Sequence, residues 1–418
     1  MHQTKTDIEA TPMTFASLGL SAPILKTITQ LKYTQPTPIQ LESIPAILKG
    51  RDVMAAAQTG TGKTASFTLP ILDLLAQGSR VRGNRVRALI LVPTRELAAQ
   101  VAKSVARYGE HLPLRSAVVF GGVKINPQMM KLCKGIDILV ATPGRLLDLH
   151  QQNAVRFTQL EILVLDEADR MLDMGFSDEL KKILALLPLK RQNLMFSATF
   201  SDEIRALAKT MVHDPVEICV NPANSTAKTV EHWLYPVDKK RKNALLEKLI
   251  KDNDWQQVLV FCKTKQAANR LVRFFEQQAI KSSAIHGDKS QGARTRALRE
   301  FKNNEIQVLV ATDLAARGLD IPQLPQVVNY NLPHVAQDYI HRIGRTGRAG
   351  VSGQAVSLVC ADEFDELAEV ERVIQQLITR KIMKGFEPAQ VLPESRLDTR
   401  PIKPKKPKKP KKPKLLAQ

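Results

Sequence analysis

A chain of 418 residues is longer than one hydrophobic core normally supports, so two domains are expected. At 44% hydrophobic and 24% charged residues it is too apolar for a disordered polymer, and its formal net charge of +20 favours polyanionic partners. Eight lysines and no acid lie between Lys403 and Lys414, which leaves +12 on the rest, so the body is basic without that stretch.

Taken in chain order, residues 1–14 form an N-terminal extension without the apolar core of a signal peptide. The run DVMAA from Asp52 leads into AQTGTGKT, Ala57 to Thr64. Apolar runs then recur between helix-like stretches: RALILV from Arg87, DILVAT from Asp137, EILVLD from Glu161, QVLVFC from Gln257 and IQVLVAT from Ile306. Short, β-branched and apolar on both faces, they suit parallel strands covered by helices on both sides, an α/β doubly wound architecture. NPANSTAK, Asn221 to Lys228, is polar and without period, which predicts a linker over 221–229 between domains at 15–220 and 230–385. From 386 to 418 periodicity fades into Lys-Lys-Pro units, and a disordered basic tail is expected.

Cys133, Cys219, Cys262 and Cys360 lie too far apart in sequence for a zinc or redox pair, and no apolar run reaches membrane-spanning length. A cytoplasmic protein with no membrane partner is expected.

AQTGTGKT carries the strongest local chemistry. Glycines let backbone N–H groups turn inward around phosphates, Lys63 supplies a mobile cation, and the Thr64 hydroxyl can reach Mg²⁺. The nucleotide site is therefore expected at Ala57, Gln58, Thr59, Gly60, Thr61, Gly62, Lys63 and Thr64, with alanine where this loop more often begins in glycine. DEAD, Asp166 to Asp169, follows the strand-like ILVL. A carboxylate at that end of a strand faces the ligand crevice, so Asp166 is expected at the metal and Glu167 at the attacking water.

With these residues in place, the sequence resembles the DEAD-box RNA helicases, from about Phe15 to Ala361 and in unbroken motif order. The resemblance implies two tandem RecA-like domains and an ATP- and Mg²⁺-dependent enzyme acting on RNA. Phe15 and YTQPTPIQ, ending at Gln40, look like the family's adenine-recognising element. PTRELA with Arg95, the pair Gly121 and Gly122, and TPGR with Thr142 and Arg145 are similar to its RNA-backbone contacts. Ser197 and Thr199 of its SAT element, with Asp169 and His341, would couple ATP state to RNA. In the second half, HGDKSQGAR and ATDLAARGLD imply RNA-phosphate contacts at Gln291, Arg294 and Thr312 and a ribose contact at Asp320. HRIGRTGR implies arginine fingers at Arg345 and Arg348. The short basic extension is most similar to bacterial RhlE-like members.

Because the phosphate loop and the fingers sit in different domains, the active site is complete only when the domains close. RNA across both would favour closure and so couple binding to hydrolysis. Expected activities are local duplex unwinding and remodelling of ribonucleoprotein by a monomer, with little sequence specificity. Ribosome assembly or RNA decay, and proteins of those pathways, are the expected setting. An ATP-gated RNA clamp, a DNA helicase and a catalytically silent scaffold are the competing readings.

Overall fold

A computed structural model of the protein describes residues 14–57, 61–198, 200–220, 230–316, 321, 324–346 and 353–398. Of the positions singled out above, Gln58, Thr59, Gly60, Thr199, Asp320, Arg348, the linker 221–229 and the Lys/Pro stretch lie outside the described residues.

Two seven-stranded sheets, parallel at every pairing, form two lobes. The first comprises β1 (Val53–Ala56), β2 (Val86–Leu91), β3 (Ser116–Val119), β4 (Ile136–Ala141), β5 (Ile162–Asp166), β6 (Gln192–Ser197) and β7 (Val216–Cys219). The second comprises β8 (Glu231–Pro236), β9 (Val258–Cys262), β10 (Ser282–Ile285), β11 (Val308–Thr312), β12 (Gln326–Asn329), β13 (Gln354–Val359) and β14 (Thr379–Arg380). DVMAA becomes β1, and the five apolar runs become β2, β4, β5, β9 and β11.

Alternation along each strand feeds two hydrophobic layers. Ala88 and Ile90 of β2 join the layer of Phe67 and Phe196, while Leu89 and Leu91 join that of Leu165 and Met195. Side chains buried on both faces explain why these strands read as continuous apolar runs. The strand orders are β3-β4-β2-β5-β6-β1-β7 and β10-β11-β9-β12-β13-β8-β14, one permutation used twice. In such sheets ligands gather outside the carboxyl ends of the strands, where Asp166, Ser197 and Thr312 lie.

The packed second lobe continues past residue 385, where the sequence had suggested it would end. Leu392 is buried, Ala389 N–H donates to both Asp238 carboxylate oxygens at 3.1 Å, and Arg380 donates to the Leu392 and Pro393 carbonyls at 3.0 and 2.6 Å. A segment held mainly by polar bonds leaves no apolar period to read. Among the described residues no helix is long and apolar enough to cross a membrane.

Candidate active site

Lys63 opens the helix Lys63–Ala76 directly after Gly62, whose φ of +94° favours glycine. A Cβ there would also lie 2.5 Å from Gln40 Nε2. Gln40 itself is buried. Its Oε1 accepts from Thr37 N–H at 2.9 Å and its Nε2 donates to the Gly62 carbonyl at 3.2 Å. Thr37 and Gln40 stand at capping-box positions with Pro38 at the first helical position, and the bond between them is the one from Thr37 N–H to Gln40, so the expected adenine reader is also a strut between a helix start and the phosphate loop. The Thr37-x-x-Gln40 spacing was a legible signal for that bond.

Lys63 is buried, and its Nζ has no hydrogen-bond partner among the described residues. An ammonium held this way lacks the anion that would offset its desolvation, so the position fits a phosphate ligand. Ala57 N–H donates to the Ser197 carbonyl at 3.0 Å, which ties the start of the loop to the end of β6.

Asp166 ends β5, and burial pushes its carboxyl up to about 7 against the opposing pull of the Lys63 ammonium, with Glu167 adding to the rise. Its Oδ1 lacks a hydrogen-bond partner among the described residues. A buried carboxylate with an unused oxygen beside Lys63 and Thr64 fits a hard cation. Among the described residues no three acidic, His or Cys side chains form a metal cluster. Mg²⁺ takes few protein ligands and completes its shell with water and phosphate oxygens, which the Asp166 carboxylate and Thr64 hydroxyl fit.

Glu167 stands in the left-handed region at φ 55°, ψ 51°, strained for a glutamate, at the start of the helix Ala168–Asp173. Buried Arg170 faces it, with Nη1 3.4 Å from Glu167 Oε2. Sequence reasoning missed this facing cation, since an arginine one turn into a helix carries no distinguishing pattern. Asp169 Oδ2 accepts from Ala198 N–H at 3.2 Å, which joins the two elements expected to couple.

A cavity of about 550 Å³ brings these groups together. Phe15, Gln40, Gly62, Lys63, Thr64, Asp166 and Glu167 of the first lobe line it, and so do Ile321 and Arg345 of the second. Gln100, Ser104 and Tyr108, spaced four residues apart on the helix Arg95–Tyr108, form a wall that no motif announced. A smaller cavity places His341, Arg342 and Arg345 beside Arg170, so the second lobe's arginines also meet the DEAD helix. Arg342 is fully buried. It donates to Asp313 Oδ2 at 2.7 Å, Asn329 Oδ1 at 2.9 Å and the Asn331 carbonyl at 2.6 Å, and stacks over Phe261.

On the expected RNA side of the first lobe, the Arg95 guanidinium lies where a Cβ of Gly122 would be, 1.9 Å from Nη1, and Gly122 has φ +75°. Arg145 Nη2 donates to the Val123 carbonyl at 3.0 Å, and Thr142 stands immediately before the helix Pro143–Gln151. Arg95, Gly121, Gly122, Thr142 and Arg145 thus share one end of the sheet. Thr312 ends β11 and is buried. Gln291 and Arg294, expected at RNA phosphates, both reach a carboxylate of the first lobe. Gln291 Nε2 donates to Glu96 Oε1 at 3.0 Å, and Arg294 Nη2 lies 2.9 Å from Glu96 Oε2. The carboxylate of PTRELA, passed over in the sequence, accepts from both.

Comparison with known proteins matches residues 37–207 to the DEAD/DEAH box helicase family and 241–350 to the helicase conserved C-terminal domain. The chain is 40% identical over 364 residues to the DEAD-box ATP-dependent RNA helicase RhpA of Helicobacter pylori, covering 87% of this chain and 73% of that one. It is 41% identical over 362 residues to the ATP-dependent RNA helicase CshA of Listeria monocytogenes, covering 87% and 69%. Neither carries the RhlE name that the short basic extension had suggested. Among solved structures it resembles S. cerevisiae Dbp5 bound to RNA and ADP BeF3, with a TM-score of 0.79 and 31% identity over 88% of this chain and 95% of that one. Both halves match in order, and Gln40, Gly62, Lys63, Thr64, Asp166, Glu167 and Arg345, all expected at the ATP site, line one cavity; the chain belongs to the DEAD-box ATP-dependent RNA helicases, whose ATP hydrolysis depends on RNA.

Proposed function

We propose that this protein couples ATP hydrolysis in the interlobe cleft to RNA binding, local duplex unwinding and remodelling of ribonucleoprotein. The observation that carries the reading is that Arg345 of the second lobe lines the same cavity as Lys63, Asp166 and Glu167 of the first. A guanidinium supplied from the opposite lobe makes hydrolysis contingent on closure, and such fingers contribute about 10³ to 10⁵ in rate. Likeness to an RNA-bound relative supports RNA lying across both lobes and favouring the closed state by linkage.

In this reading Lys63 holds and neutralises the phosphates, and Glu167, oriented by Arg170, aligns and deprotonates the attacking water. Thr64 and Asp166 would hold Mg²⁺, which supplies charge neutralisation at the phosphates when bound. Arg345 and Arg348 stabilise the charge on the transferring phosphoryl group, and Asp320 contacts the ribose. Arg95, Gly121, Gly122, Thr142, Arg145 and Thr312 take RNA phosphates, so sequence preference is weak. Lysines 403–414 tether RNA through counterion release. Ribosome assembly or RNA decay is the setting this activity suits.

A strand-displacement assay on a short RNA duplex tests the reading. ATP-dependent separation is expected, with loss of about 10³ in rate for Arg345→Ala. RNA-stimulated hydrolysis without separation would favour an ATP-gated clamp.

A further inference from the structure

The two sheets use one strand permutation, so each feature of the ATP site in the first lobe has a counterpart position in the second. β1, which leads into the phosphate loop, corresponds to β8. After β1 ends at Ala56 the helix Lys63–Ala76 begins on a lysine, and after β8 ends at Pro236 a 3-10 turn, Lys239–Arg241, leads into the helix Lys242–Asp252, which also begins on a lysine. Both lysines are buried, at 6% exposure for Lys63 and 1% for Lys242. They differ in their partners. Lys63 Nζ lacks a hydrogen-bond partner among the described residues, whereas Lys242 Nζ donates to the Tyr330 carbonyl at 2.9 Å and to Glu363 Oε2.

Glu363 follows β13, the counterpart of β6, and its carboxylate receives more than the ammonium. Cys360 N–H donates to Oε2 at 3.2 Å and Asn331 Nδ2 to Oε1 at 3.2 Å. A backbone N–H, a side-chain donor and a lysine at a helix N-terminus are the donor types that hold a phosphoryl oxygen. The positions after β5 that supply Asp166 and Glu167 become Asn329, Tyr330 and Asn331 around the end of β12. Without carboxylates there to hold a cation, one carboxylate balances one lysine. Burial by itself would raise the Glu363 carboxyl, but the Lys242 ammonium and the three hydrogen bonds outweigh it and hold it below the usual range.

We infer that the second lobe retains a phosphate-type oxyanion site at Lys242, equivalent in position to the ATP site of the first, and that the Glu363 carboxylate fills it as a built-in anion. The site admits one small oxyanion, and its internal occupant keeps the second lobe from taking a nucleotide of its own.

Chemical rescue tests this on the full-length protein, without RNA and with ADP saturating the first lobe. The Glu363→Ala variant should melt below wild type, and inorganic phosphate or acetate should raise its Tm in a concentration-dependent way. The same anions should raise the Tm of wild type and of the Lys242→Met/Glu363→Ala double variant far less. Anion responses equal in all three proteins would overturn the inference and leave Lys242 and Glu363 as an ordinary buried ion pair. If Glu363→Ala does not fold in anion-free buffer, refolding yield with and without phosphate becomes the readout. A yield that phosphate raises only when Lys242 is present supports the site, and a yield indifferent to phosphate overturns it. Neither readout involves turnover, so the outcome is independent of the unwinding reading.

Discussion

Arg294 and Glu96 meet across the two lobes, Nη2 to Oε2 at 2.9 Å, with side chains only 10% and 9% exposed. Gln291, one helical turn earlier, takes the other carboxylate oxygen at 3.0 Å. One anion of the first lobe therefore holds two side chains of the second. Charge-assisted hydrogen bonds of this type contribute about 1.5–3 kcal/mol each.

Removing the carboxylate should weaken closure more than it weakens either lobe. Glu96→Gln is expected to raise the RNA concentration for half-maximal ATPase activity by about tenfold, equivalent to about 1.4 kcal/mol. A double-mutant cycle of Glu96→Gln with Arg294→Met checks it. Strong coupling supports the latch, and additive effects argue against it.

Gln40 bonds both Thr37 N–H and the Gly62 carbonyl, so it should affect the phosphate loop as well as the base. Gln40→Glu keeps an acceptor for Thr37 but cannot donate to Gly62. Its KM for ATP is expected to rise about tenfold, with a stability loss near the 0.5–1.5 kcal/mol typical of one lost hydrogen bond. Gly62→Ala should be worse, because φ is +94° and the added Cβ would lie 2.5 Å from Gln40 Nε2. Steady-state ATPase kinetics and urea unfolding separate the two effects.

The two halves of the segment after Gly385 should behave differently. Leu392 is 4% exposed, and Leu392→Ala is expected to cost about 2–5 kcal/mol, as for other buried leucines. Ending the chain at residue 402 should leave the unfolding midpoint unchanged. It should instead raise the RNA concentration needed for half-maximal ATPase activity at low salt, with the difference shrinking as salt rises. Unfolding curves and ATPase titrations at two salt concentrations decide both points.

Legibility from the sequence followed how strongly each position was constrained. Buried central strands such as EILVLD and IQVLVAT could be read because both faces are apolar. β3, β7, β10 and β14 were not read, as edge strands of two to four residues have too little pattern, and β6, β8, β12 and β13 were not read because polar residues such as Gln192, Asn193, His232, Asn329 and Ser357 interrupt their apolar runs. The proposed ATP-site residues could be picked out because a phosphate cradle and a strand-end carboxylate demand particular residues in particular order. Contacts between distant residues of ordinary type were hidden. Nothing in PTRELA marks Glu96 as the partner of Arg294, and nothing after Asp169 marks Arg170 as the cation facing Glu167. The reach of the second lobe to residue 398 was hidden for a related reason, since Asp238 and Arg380 hold that segment through its backbone.

The central claim is that RNA-dependent closure completes an active site in which Glu167 activates water. Steady-state ATP hydrolysis by the purified protein, with and without single-stranded RNA and alongside Glu167→Gln, tests it most directly. The account predicts strong stimulation by RNA that Glu167→Gln abolishes while ATP binding persists. Hydrolysis that ignores RNA, or that survives the substitution, would contradict it.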